Sequence, residues 1–272
     1  MDEHFQIRFG VPDEWNHFAK GHSLFVERFD NLKSAIGICF DRTLTSADVT
    51  DKVMFLLGRL SAEDFQEVLL LCANGFGSGA FKILRVMYER VVTARWLRLQ
   101  PQETELFVNY DWVQKYKLRG AICRTFGEQI LPTEAVENAE ANYNQVKDQF
   151  QVTDCGKCGT KKINHTWSKL DFVSMAGKVG NVGQYIVPGY YIPLRETHPS
   201  FGAILSRWEK SEDGGVGWDG GRQHKWAEQA LMTAHYLMLN MLDLQKEHFE
   251  LQQLEGTLKQ CENDITDIWK KS

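Results

Sequence analysis

The stretch SGAFKILRVMYERVVTARWLRL, Ser78 to Leu99, decides the fold. At 3.6 residues per turn, Phe81, Leu84, Tyr88 and Val91 run down one side of a helix. Ile83, Met87, Ala94 and Leu97 run down a second side, and Val92 and Trp96 lie on a third. A helix wetted on one face carries a single apolar stripe, whereas this one asks for neighbours almost all the way round. That makes it the central helix of an all-α, multi-helix bundle. Arg85 and Glu89 interrupt the wall four residues apart, one turn over the other. Charges in such a place need partners, so the pair marks either a structural knot or a site.

Upstream, Phe25, Phe29, Leu32, Ile36 and Cys39 repeat at three and four, and His22 to Arg42 reads as a helix. Ser46 caps the next, which runs through Val53 and Phe55 to Leu60. SAED at Ser61–Asp64 has the form of a capping box and predicts a separate helix through Phe65, Val68 and Cys72. The first eleven residues suggest a short arm or edge strand. NGFGSG, Asn74 to Gly79, has the spacing of a phosphate loop, but a helix precedes it and no GK[ST] follows, so it predicts a tight turn.

Downstream, Glu103–Arg119 and Thr133–Phe150 are amphipathic and polar helices. The box SKLD at Ser168 opens another, ending at Gly180. Three prolines break Gln184–Ser200, and five glycines make Ser211–Gly221 a mobile loop. A long C-terminal helix, from about Arg222 to Trp269, has the seam Ala230, Ala234, Leu237, Met241, Leu244. After His248 its phase shifts and resumes as Leu254, Leu258, Cys261, Ile265. The organisation expected is a helical bundle domain over 1–221 and a C-terminal helix over 222–272. The helix's first half would pack on the bundle. Its second half would be an oligomerisation arm or fold back.

With 43% hydrophobic and 25% charged residues the chain has the means to build a real core. A net charge of -5 argues against a surface coated for nucleic acid, without deciding whether a local patch binds it. No apolar run is long enough for a membrane span, and MDEHFQIRFG lacks the basic and apolar regions of a signal peptide. Six scattered cysteines fit free thiols in a reducing cytoplasm.

Three pieces together carry a resemblance: RVMYERVVTARW on the central helix, NHTWSKLDFVSMAGKVG later, and YIVPGYYIPLRETHPS ending in His-Pro-Ser. Over roughly Ala62 to Leu244 the chain resembles the bacterial all-helical domain-of-unknown-function family 5677. The resemblance implies that Arg85 and Glu89 face Tyr185, Tyr190 or Tyr191, and His198. The serine that the family usually carries between tyrosine and histidine has no clear counterpart here, where Pro193, Leu194 and Arg195 intervene. The resemblance brings no settled activity.

Two constellations bear chemistry. In the first, Arg85, Tyr190, Tyr191 and Arg195 would hold an anion such as phosphate or carboxylate. His198 beside Glu89 would serve as catalytic acid or base if the protein is an enzyme. The same groups also suffice to satisfy one another and tie a broken segment to the core. In the second, Cys155-Gly-Lys-Cys158-Gly is half of a zinc ribbon. His165 would be a third metal ligand, and Cys123 or another histidine a fourth. Two free thiols, or a redox pair, are the alternatives.

The function expected is that of a cytoplasmic binding or regulatory protein of a stress or phage-defence kind. It would be homo-oligomeric, with a polar pocket for a small anionic ligand or a protein partner. The rival is a hydrolase of RNA or a phosphoester, by analogy with HEPN ribonucleases. Their Arg and His, four to six apart, have no counterpart in the Arg195–His198 or Arg222–His224 spacing.

Overall fold

A computed structural model describes residues 11–154, 159–210 and 213–270. The expected N-terminal arm and the cysteine pair lie outside the described residues. The chain forms two compact units, one of residues 1–99 and 175–272 and one of 100–174.

The first unit opens with α1 (Pro12–Gly21), α2 (Ser23–Phe40), α3 (Val49–Ala73) and α4 (Gly77–Leu99). The two helices expected between Ser46 and Cys72 are one. Asp48 caps it by accepting from the Thr50 and Asp51 amides, and no glycine or proline breaks it at Ser61. The Ser61 hydroxyl instead donates back to the Leu57 carbonyl at 2.8 Å, the habit of a serine inside a helix.

In the second unit, α5 (Thr104–Phe126) and α6 (Thr133–Val146) lie together. Strands β1 (Gln151–Thr153) and β2 (Lys161–Ile163) form an antiparallel pair. Tyr110, Val113, Val146 and Phe150 make the unit's small core, and the Tyr110 hydroxyl donates to the Asn164 carbonyl at 2.9 Å. The helix expected from Ser168 shrinks to α7 (Phe172–Ala176), where Asp171 accepts from the Ser174 amide.

The first unit resumes through a π-helical turn, Val187–Tyr191, into α8 (Ile192–Thr197) and α9 (Phe201–Leu205). A proline ring in a helix clashes with the carbonyl four residues back. Pro193 enters α8 directly after the widened turn, whose closing bond runs from the Ile192 amide to the Val187 carbonyl. The glycine-rich segment is not merely a loop. Strands β3 (Trp208–Lys210) and β4 (Val216–Trp218) pair antiparallel across it, with Trp208 opposite Trp218.

The C-terminal helical segment comes as α10 (His224–Phe249) and α11 (Glu255–Trp269). The shift in phase after His248 is a reversal: Glu250 takes a left-handed conformation, φ 53°, and α11 packs on α2 and α10. Leu258, Cys261, Ile265 and Trp269 are buried there. Asp264, also buried, accepts from Arg28 at 2.9 Å and Asn31 at 2.8 Å. Of the two courses expected for this second half, it folds back, and its seam is covered within the chain.

The core of this unit lies where α3, α4 and α10 meet. Phe65, Phe81, Leu84, Met87, Tyr88, Leu231, Leu237 and Met241 are fully buried there. Gly77 lets α4 touch α10, since a Cβ on it would lie 2.6 Å from Trp226 Cβ and 2.7 Å from the Ala227 amide nitrogen. As its all-round pattern requires, α4 is central, with Lys82 and Val86 on its one open strip. Among the described residues no helix is long and apolar enough to cross a membrane.

Candidate functional site

Arg85 lies beside that open strip, and α8 comes to meet it. Gly189 sets the approach. A Cβ there would stand 2.9 Å from the ring of the buried Tyr88, so only glycine lets the π-helical turn lie against α4. Tyr88 fixes the preceding residues as well, its hydroxyl donating to the Val182 carbonyl at 3.3 Å.

The guanidinium of Arg85 then gathers four groups. Its Nε donates to Glu89 Oε1 at 3.0 Å. Its Nη1 donates to Thr197 Oγ1 at 3.0 Å and lies 3.4 Å from His198 Nε2. The ring of Tyr190 sits beneath it, 4.9 Å away. The Thr197 hydroxyl sends its own proton to the Leu194 carbonyl, leaving its oxygen free to accept from Arg85. Since a guanidinium only donates, Nε2 is the accepting nitrogen of His198 in this contact.

This brings together Arg85, Glu89, Tyr190 and His198 of the residues singled out in the sequence, with Thr197 added. The pair is less enclosed than the helix pattern suggests. The Arg85 side chain is 19% exposed but that of Glu89 is 40%, because the pair borders the open strip. Glu89 also faces the far side of Arg85 and makes no hydrogen bond to His198. Tyr191 packs edge-on against Tyr190 and is otherwise exposed. Tyr185 stacks instead on Tyr236. Arg195 is exposed and lies over Gly202.

On the other side of Thr197 and His198 a groove of ≈ 450 Å³ opens. Its walls include Lys82, Glu196, Ser200, Arg207 and Trp218. Burial pushes the Glu196 carboxyl up, while Arg195, Lys82 and Arg207 pull it down. Among the described residues, none of these three cations has a carboxylate within ion-pair distance. Arg207 is held otherwise, donating to the Asp219 and Gly221 carbonyls at 3.0 Å each. In a chain of net charge -5, the groove wall carries Lys82 and Arg207 against one carboxylate, Glu196. Sequence reasoning missed Lys82, Arg207 and Trp218. Lys82 had a signal, lying three residues before Arg85 on the same helix; the other two come from a distant hairpin.

The metal reading turns on residues that are mostly not described. His165 is exposed after β2, and Cys155 and Cys158 lie outside the described residues. Among the described residues no group of three or more His, Cys, Asp or Glu side chains is arranged to hold a metal ion.

A family of unknown function, DUF5677, matches residues 51–216. The chain belongs to this family. No curated protein and no solved structure matches the chain. The DUF5677 segment holds the whole Arg85 cluster, Lys82 and Arg207, and stops just short of Trp218. It also takes in the second unit entire.

Proposed function

We propose that this DUF5677 protein is a binding protein for a small phosphorylated or carboxylated anion, held in the groove beside Arg85. One observation carries the reading: Arg85, positioned by Glu89 and Thr197, lies behind a groove lined by Lys82 and Arg207, neither of which has a carboxylate within ion-pair distance among the described residues. Pre-placed cations that need no rearrangement are what anion recognition requires.

The test is a melting curve with inorganic pyrophosphate. Saturating anion raises the melting temperature, as any ligand bound only to the folded state does. Lys82→Ala, which removes an exposed side chain, loses that shift and leaves the ligand-free melting unchanged. No shift at any pyrophosphate concentration would sink the proposal.

A second reading, phosphoester hydrolysis with His198 as acid–base, draws on the exposure of His198 at the groove. Against it, Glu89 bonds to Arg85 rather than to the imidazole, and among the described residues no carboxylate lies within ion-pair distance of the ring.

A further inference from the structure

We infer that the anion bound in the groove is a nucleotide, with its base stacked on Trp218. The inference rests on the anion-binding reading and adds to it the chemistry of the ligand's uncharged part.

Trp218 is the observation that the anion alone leaves unused. It lines the groove and is 66% exposed, so most of its indole is available to a ligand. Its position is nonetheless defined. It lies on β4, paired with Trp208, and the guanidinium of Arg207 stands 5.9 Å from its ring. That guanidinium is itself fixed by the two carbonyls of Asp219 and Gly221. A largely exposed indole in the groove wall, with a guanidinium held near its ring, is a platform for a flat heteroaromatic ring.

The other walls complete the match. Lys82, and His198 with Arg85 behind it, meet negative charge. A volume of ≈ 450 Å³ falls within the range of small-molecule sites. Inorganic anions would leave the Trp218 wall empty. An aliphatic carboxylate would give it no stacking partner.

The test compares adenosine 5′-diphosphate with inorganic pyrophosphate by calorimetric titration of the full chain. The nucleotide should bind at least about tenfold more tightly. Trp218→Ala should bring it down to the pyrophosphate level, and Trp218→Phe should keep most of the advantage. Lys82→Ala should weaken both ligands by a similar factor. Equal binding of the two ligands, or an advantage that survives Trp218→Ala, overturns the nucleotide inference and leaves anion binding standing. Nucleotide binding that Lys82→Ala does not affect, with no pyrophosphate binding, overturns both. A short single-stranded oligonucleotide that competes at lower concentration than the diphosphate would show that the stacked base belongs to a polymer, against the free nucleotide inferred here.

Discussion

Trp269 and His235 are joined nitrogen to nitrogen: the indole Nε1 donates to Nδ1 of the imidazole at 3.2 Å, inside the core. The contact ties the end of α11 to the middle of α10 and requires Nδ1 to carry no proton. Burial pushes the His235 pKa down to about 4, against the pull of Asp264.

The consequence is acid lability. His235 stays neutral in the folded protein down to about pH 4 but takes a proton near pH 6.5 when unfolded. Between those values the unfolded state binds more protons, so stability falls as pH falls. The loss over the window is about 3 kcal/mol. Asp64, whose buried carboxyl is pushed up to about 6, works the other way and partly masks it. Urea unfolding at pH 7 and pH 4.5 should therefore be compared with His235→Gln, which keeps Asp64. The variant should lack the acid-sensitive component.

His198 and Arg85 should separate in a melting experiment. His198 is exposed, so His198→Ala should change stability by less than about 0.5 kcal/mol. A structural knot built on this histidine would have cost much more. Arg85→Ala removes the bonds to Glu89 and Thr197 and the stack on Tyr190, and should cost about 1–2 kcal/mol. Equal losses from the two substitutions would refute this division of labour.

Gly77→Ala should be among the most damaging single changes in the first unit. The new Cβ would meet main-chain atoms at the start of α10, the carbonyl oxygen of its capping residue Gln223 and the Ala227 amide nitrogen, each at 2.7 Å. Backbone cannot rotate aside as a side chain can, so α4 and α10 must part. A loss of about 1–3 kcal/mol in denaturant unfolding is expected.

Ending the chain at Glu250 should harm the fold rather than merely change its oligomeric mass. Removing α11 uncovers Phe25 and Leu32 on α2 and leaves Arg28 and Asn31 without Asp264. Greater binding of a hydrophobic dye and a lower melting temperature are the expected signs. A truncated chain that melts like the full one would show α11 to be dispensable.

The central helix is legible in the sequence because it rests on a strong local pattern, whereas the meeting of Arg85 with the His198 segment is implied by the family resemblance. Phe81, Leu84, Met87 and Tyr88 leave α4 almost no wet face, and a charged pair within such a helix has to find company. The reversal at Glu250 is far less legible. A phase shift in an apolar seam fits a stutter in one helix as well as two antiparallel helices, and the residue that takes the left-handed turn is not a glycine. The groove is the least legible part. Lys82 lies on α4, but Arg207 and Trp218 join it through a short hairpin whose glycines look, in one dimension, like a loop.

Arg207 has a further consequence, seen in how the groove responds to salt. Its hydrogen bonds go to the Asp219 and Gly221 carbonyls, so neutral acceptors hold the side chain, and Glu196 opposes its charge without forming an ion pair with it. Mobile ions screen exposed charges over a Debye length of about 8 Å at physiological ionic strength, but they compete poorly for a geometrically fixed carbonyl clamp. Adding salt should therefore weaken whatever anion the groove attracts while the hairpin carrying Trp218 stays where it is. The wall keeps its shape as its electrostatic pull is dialled down, which makes ionic strength a control on occupancy without being a control on structure.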